Sequence, residues 1–322
     1  MFAILHYPFI QNALLTGAIV AVVAAVTGYF LIARGLTFAG HALPNIGFAG
    51  AAGAVLLGID PVFGLFVFTI GAAISIALMG GEARERDTTI GIIMTFALGL
   101  GILFLSLYAG YASQVYSFLF GQIVGISGQD VIITILSGAF TLIFMVFLYR
   151  PLLFSSFDPQ VADARGLPVR ALSIIFLVLV AITVSLAVQV VGALLVFTLL
   201  VGPAATAVRI ANSPMRAILL AMALGVGYTC LGIYIAAESL YWPASFFIAS
   251  ISFGVYLPVR FLSPLWRERR ARQNPRPPAI SVGAGLVPAR LYVPTNEYGR
   301  AGTSPAPTVD EEGTSELEEK HV

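Results

Sequence analysis

Residues 171–188 read ALSIIFLVLVAITVSLAV and residues 190–209 read VVGALLVFTLLVGPAATAVR, two apolar runs joined only by Gln189. No Asp, Glu, Lys or Arg occurs between Arg170 and Arg209. A helix needs about 20 apolar residues to cross the hydrocarbon core of a bilayer. Each run is therefore long enough for one transmembrane helix, and the pair predicts two consecutive spans hinged near Gln189.

Apolar runs of this kind continue along most of the chain and predict an all-α polytopic membrane protein. Of the 322 residues, 58% are hydrophobic and only 10% are charged, whereas an ordinary soluble domain carries about 25% charged residues. This composition excludes soluble enzymes, and the net charge of +1 argues against a nucleic-acid partner. The runs also lack the alternating pattern of a membrane β-barrel. Nine spans are predicted, at residues 9–33, 36–57, 62–80, 88–109, 131–149, 171–188, 190–209, 215–237 and 243–262.

The few charges predict the orientation of these spans. Residues 1–262 hold 9 Arg and 8 acidic residues. If the N-terminus is outside, all nine of these Arg lie on or beside cytoplasmic segments, while Asp60, Asp130 and Glu238 remain on the outer side. Cytoplasmic loops are enriched in Lys and Arg. The pattern therefore predicts an N-out, C-in membrane protein.

A change of composition near residue 262 predicts two regions. Residues 1–262 form the transmembrane domain, and residues 263–322 carry the remaining 16 charged residues together with many Pro, Gly and Thr. A basic cluster at residues 267–272 favours contact with anionic membrane lipid on the inner leaflet. Such a polar composition cannot bury a core, so residues 263–322 are predicted to be a disordered cytoplasmic tail.

A capped helix is predicted in the loop between the fifth and sixth spans. Asp158 is a good N-cap residue, Pro159 suits the first helical position, and Gly166 is typical of a helix end. Two interpretations fit the caps alone: a surface connector, or a lever on which a partner protein pushes.

The second span carries polar residues where a membrane helix is expected. His41 and Asn45 are four residues apart and share a helix face, and Pro44 interrupts the helical hydrogen bonding beside them. Polar residues at this depth are candidates for a transport pathway. A packing or capping role for His41 is equally open, because metal sites in proteins use several such ligands. In the same span, Gly50 and Ala54 are small residues four apart, a spacing that allows close helix packing.

Several separated motifs give the chain a resemblance to a known family. It resembles the membrane permeases of ABC importers for divalent transition metals, the zinc, manganese and iron family called ABC-3, over about residues 9–262. The motifs that carry the resemblance are FxGxAL at residues 38–43, TIGI at 89–92, LFG at 119–121, FDPxxAxxxGLPV at 157–169, QVVG at 189–192 and GPAAT at 202–206.

The resemblance implies a fold like that of the vitamin-B12-type ABC importer permeases and an assembly of several proteins. Two permease copies, expected as a homodimer, would form the path; a separate cytoplasmic ABC ATPase would supply energy, and an extracytoplasmic metal-binding lipoprotein would deliver the ion. In such permeases, a coupling helix contacts the ATPase. The resemblance places this helix near residues 157–167 and implies the coupling residues Phe157, Asp158, Pro159, Ala162 and Gly166. The chain itself has its only lysine at position 320, so it lacks the lysine of a nucleotide-binding P-loop.

The candidate metal residues depart from the family pattern. At the positions matching His41 and Asn45, the family often has Asp and His. Imidazole suits zinc or iron, whereas an amide oxygen is a weaker and harder ligand. We expect a transient site for a transported zinc, manganese or iron ion at these residues, and no stably bound cofactor.

The sequence therefore predicts the permease subunit of an ATP-driven importer, which is not itself an enzyme. Three alternatives stay open: an ion-coupled secondary transporter, a permease of the same fold for a metal chelate, and a structural membrane subunit without a substrate. The first would normally keep carboxylates within its spans, but Asp60, Asp130 and Glu238 all lie at predicted span ends.

Overall fold

The computed structural model describes residues 8–79, 83–108, 127–193, 195–239 and 242–273, and all regular secondary structure in these ranges is α-helical. This confirms the predicted all-α class. The ten helices are α1 (Pro8–Ala33), α2 (Thr37–Leu56), α3 (Pro61–Met79), α4 (Ala83–Leu107), α5 (Gly128–Phe157), α6 (Pro159–Ala164), α7 (Val169–Val191), α8 (Val196–Ile210), α9 (Pro214–Glu238) and α10 (Ala244–Gln273). The LFG motif at residues 119–121 lies outside the described residues.

Seven of these helices are long and apolar enough to cross a membrane, judged by length and composition. They are α1, α3, α4, α5, α7, α9 and α10. The two other predicted spans correspond to α2 and α8. The former contains His41, Pro44 and Asn45, and the latter has only 15 residues. The count of nine spans and their orientation stay predictions.

The break between α7 and α8 lies slightly beyond the expected hinge. Gln189 is still helical, and its side-chain amide donates a hydrogen bond to the Ser185 carbonyl oxygen at 3.3 Å. The helix ends at Gly192, whose φ of 87° lies in the region that glycine adopts readily. The chain therefore turns where the backbone tolerates a positive φ, and the polar Gln189 is accommodated within the helix.

Three helices extend further than the hydropathy pattern indicates. Helix α4 begins at Ala83, inside the predicted loop, and α5 continues through Pro151 to Phe157. Helix α10 continues to Gln273, past the predicted start of the tail at residue 263. Prolines are tolerated within membrane helices, and the Arg and Glu residues that follow are good helix formers. Residues 274–322 of the predicted tail lie outside the described residues.

Small residues bring α2 and α3 into close contact. A Cβ atom added to Gly64 of α3 would overlap the Gly50 carbonyl oxygen and the Cβ of Ala54 on α2. The packing predicted for Gly50 and Ala54 is thereby confirmed. Helix α2 is buried continuously from Ala42 to Ala54, so Asn45 and the small residues of this stretch lie inside the bundle, whereas His41 is exposed.

Candidate functional site

Local capping interactions hold the short helix α6 in place. Asp158 is its N-cap, and Oδ1 of that residue accepts a hydrogen bond from the Val161 amide at 2.9 Å. Pro159 occupies the first helical turn, and Gly166 follows the helix with a φ of 81°. The caps predicted from the sequence are confirmed.

Helix α6 rests on one residue and exposes most of its other side chains. Ala162 is completely buried, whereas Val161 is exposed and the preceding Phe157 is 72% exposed. Phe157 and Val161 thus give this segment an exposed apolar surface. The arrangement fits a helix that another protein covers.

Arg34 lies in the turn between α1 and α2, and its side chain contacts both helices that flank α6. Its Nη1 donates to Ser155 Oγ of α5 at 2.9 Å, and its Nη2 donates to Ser173 Oγ of α7 at 2.7 Å. Its guanidinium carbon also lies 5.6 Å from the centre of the Phe176 ring, within cation–π range. Burial, and secondarily the charge of Arg86, lower the pKa of Arg34 from its ordinary value. Sequence reasoning used this arginine only as a topology signal and missed its contacts.

His41 and Asn45 share a helix face, but their side chains meet different neighbours. The exposed His41 ring lies edge-to-face with Phe197 of α8, at 5.3 Å between ring centres. The buried Asn45 amide nitrogen donates to the His41 carbonyl oxygen at 2.9 Å and contacts Met94 Sδ of α4 at 3.7 Å. His41 is thus available to a ligand, while the Asn45 amide nitrogen is occupied within the bundle.

Two of the three predicted outer carboxylates line one cavity. Its volume is about 460 Å³, and its polar lining consists of Asp60, Asp130, Gln129 and Gln189. Asp60 Oδ1 accepts from the Val62 amide at 2.7 Å, and Asp130 Oδ2 accepts from the Ser127 amide at 2.9 Å. Each carboxylate therefore uses one oxygen to cap a helix start.

Glu238 lies apart from this cavity's described lining, at the exposed end of α9. Within the described ranges, no group of three or more His, Cys, Asp or Glu side chains could hold a metal ion. The described residues of a single chain thus provide a place where a cation is attracted but no closed metal centre.

Comparison with known proteins places the whole helical region in one family. The model of the ABC 3 transport family matches residues 6–263. The chain belongs to the ABC 3 transport family. This result confirms the resemblance carried by the sequence motifs, and it identifies the chain as a membrane permease of an ABC transporter, not an enzyme.

Relatives of this ABC 3 family member are named for manganese transport. The chain is 33% identical over 232 residues to the manganese transport system membrane protein MntC of Listeria innocua, covering 72% of this chain and 82% of that protein. It is 35% identical over 231 residues to the manganese import system permease protein ScaB of Streptococcus parasanguinis, covering 71% of this chain and 82% of that protein.

A solved structure confirms the permease fold. The chain superposes on PsaBC from Streptococcus pneumoniae, solved in complex with a Fab, with a TM-score of 0.74 and 33% sequence identity. The match covers 83% of this chain and 96% of that chain. This ABC 3 family member is therefore the permease of a metal-importing ABC transporter.

Proposed function

We propose that the chain imports manganese, as the permease subunit of an ATP-driven transporter in the bacterial cytoplasmic membrane. Relatives that are 33% and 35% identical, and that align over more than two thirds of this chain, are named as manganese transport and import proteins. This is the observation that carries the choice of ion. Carboxylate, carbonyl and water oxygens suit manganese, and the cavity at Asp60 and Asp130 offers oxygen donors.

In this proposal the acidic cavity receives the ion on the outer side. A metal-binding lipoprotein would release Mn²⁺ close to Asp60 and Asp130, where two carboxylates and two side-chain amides meet. Rim charges of this kind raise the rate of encounter with a partner or ion of opposite charge. The ion would then pass the exposed His41 and the neighbouring Asn45, in a path formed with a second copy of the chain.

A loose site at His41 suits transport, because an ion must leave as well as bind. His41 contributes one imidazole, and the Asn45 amide nitrogen is already hydrogen-bonded. We therefore infer that the two residues contact the ion in passing and do not hold it as a resident metal.

Energy would reach the path through α6. A separate ABC ATPase would bind Phe157 and the exposed face of α6, while Asp158, Pro159, Ala162 and Gly166 give the helix its shape and its attachment. Arg34 hydrogen-bonds to α5 and α7 on either side of α6. Displacement of α6 would therefore move the ends of both helices together.

The proposal is tested by uptake into vesicles that contain the permease, its ATPase and its metal-binding lipoprotein. Mn²⁺, Zn²⁺ and Fe²⁺ are supplied separately and in competition, with and without ATP. We expect ATP-dependent uptake in which Mn²⁺ outcompetes the other two ions. Preferential uptake of zinc or iron would refute the choice of manganese, and ATP-independent uptake driven by an ion gradient would indicate a secondary transporter.

A further inference from the structure

A basic cavity lies beside α6, at the end of the bundle opposite to the acidic cavity. Its volume is about 340 Å³, and its lining includes Arg34, Arg86 and Arg170 together with Pro159, the first residue of α6. No Asp or Glu is found among those of its lining residues that the structure describes. Three cationic side chains therefore surround a space of the size that binds small ligands.

Arg34 and Arg86 have neutral partners in the contacts that the structure shows. Arg34 donates to two serine hydroxyls, and Arg86 Nη2 donates to the Gly35 carbonyl oxygen at 3.1 Å. The Nε atom of Arg86 is buried and has no hydrogen-bond partner in the described part of the chain. A buried donor without an acceptor is destabilising, because the loss of its hydrogen bond to water is not compensated.

The charges of Arg34 and Arg86, like their hydrogen bonds, indicate that an anion would stabilise this cavity. Arg34 and Arg86 repel each other strongly enough to contribute to the lowered pKa of Arg34, after the larger effect of burial. Charges removed from water are stabilised when an opposite charge accompanies them. An anion between the guanidinium groups would supply that charge.

We propose that this cavity binds a phosphate group. Guanidinium groups bind phosphate through paired N–H donors, in a geometry that lysine does not provide. Two sources share this chemistry: the headgroup of an anionic phospholipid and free inorganic phosphate.

The surroundings of the cavity are also suited to a lipid. Ile76 and Ala77 of α3 line the cavity, and the next residues, Leu78 and Met79, are 68% and 43% exposed. This apolar surface continues from the cavity along the end of a helix that is long enough to span a membrane. Acyl chains could cover it while the headgroup phosphate occupies the cavity.

The test measures ligand binding by the full-length chain purified in a neutral detergent. Native mass spectrometry counts retained phosphatidylglycerol against phosphatidylcholine. Thermal unfolding is followed with each lipid, and with inorganic phosphate against chloride at equal ionic strength. We expect specific retention of phosphatidylglycerol, or stabilisation by phosphate, or both. The lipid result alone identifies a headgroup site, and the phosphate result alone identifies a free-anion site.

Two variants connect the binding to the cavity. Arg86→Gln and Arg170→Gln should each weaken the apparent affinity about tenfold, because each removes a charged donor. Arg216→Gln is the matched control, since Arg216, like Arg170, is an exposed arginine in the first turn of a long helix but does not line the cavity. Arg34 is left unchanged, because its hydrogen bonds join three parts of the bundle.

The proposal is wrong if neither ligand binds better than phosphatidylcholine or chloride, or if both variants bind like the unaltered chain. Phenylglyoxal modifies accessible arginines. The proposal is also wrong if the partner ATPase protects the cavity arginines from this reagent while neither phosphatidylglycerol nor inorganic phosphate does. That result would assign the cavity to a carboxylate of the partner protein. Because none of these measurements uses metal uptake, failure here is distinct from failure of the manganese proposal.

Discussion

Phe157 is the residue at which the coupling proposal is most directly tested. Its side chain is 72% exposed beside α6, so replacement by Ala removes little internal packing. A minority of interface residues, mostly large side chains buried at the centre of the contact, each cost more than about 1 kcal/mol of binding when truncated. We expect Phe157→Ala to weaken ATPase binding roughly tenfold and to reduce ATP-driven uptake, measured by co-purification and by vesicle transport.

Phe147 provides the matched control for this change. Phe147 lies on the same helix α5 and is 78% exposed. It is ten residues from Phe157, away from the end of this long apolar helix. Phe147→Ala should leave ATPase binding unchanged. Equal losses in both variants would mean that exposed aromatic surface in general, rather than the coupling segment, controls assembly.

His41 tests the path of the ion. The His41 ring contacts Phe197 but is exposed, so His41→Ala should still fold normally. We expect this variant to lower uptake several-fold. His41→Asp replaces imidazole by a hard oxygen ligand, and oxygen ligands favour manganese over zinc. This second variant should retain Mn²⁺ uptake while its zinc uptake falls. Vesicle uptake of both ions and the thermal midpoint of each variant give the measurement, and unchanged uptake in His41→Ala would exclude His41 from the path.

Sequence reasoning succeeded for the site where the interactions are local. Asp158 caps an amide three residues away, so its role could be predicted from the order of residues alone. Arg34 was beyond such reasoning, because its serine partners lie 121 and 139 residues along the chain. The different neighbours of His41 and Asn45 likewise depend on how α4 and α8 pack against α2.

At the scale of the helices, apolar length was enough to find each element but not each boundary. Each predicted span overlaps a helix of the described residues, whereas α10 continues eleven residues past the predicted end of its span. Hydropathy indicates where lipid surrounds the chain, and a helix can continue beyond that point wherever its residues favour helix formation. The end of α7 was misplaced for another reason, since the positive φ of Gly192 determines it.

Packing between α2 and α3 gives a prediction at this scale. Gly64→Ala would bring a methyl group into the backbone of Gly50, so α2 and α3 must separate. Overpacking of this kind costs about 1–3 kcal/mol. We expect a lower thermal midpoint for Gly64→Ala than for the unaltered chain in detergent.

Gly71 lies on the same helix and serves as the control. A Cβ atom added there lies more than 4 Å from every described atom outside the neighbouring residues and backbone of its own helix. Gly71→Ala should therefore leave the midpoint unchanged or raise it slightly, because alanine favours the helix more than glycine does. A similar drop in both variants would contradict a specific contact between α2 and α3.

The orientation of the whole molecule can be tested with two single cysteines. In a Cys230→Ser background, Leu57→Cys places a thiol in the turn between α2 and α3, and Ala164→Cys places one at the end of α6. Both positions are exposed. We expect a membrane-impermeant maleimide to label Leu57→Cys from outside intact cells and Ala164→Cys only after the membrane is opened. The reverse pattern would refute the N-out prediction.

The two cavities give the molecule opposite polarity at its ends. Helix α7 reaches both, with Arg170 in the basic cavity and Gln189 in the acidic one. Nineteen residues of helix separate the two by about 28 Å. In the predicted N-out orientation, a cation would be attracted at the outer end and, while the basic cavity holds no anion, repelled at the inner end. Under the proposed function, this difference in charge would oppose backward leakage of the imported ion whenever the basic cavity is free of anions.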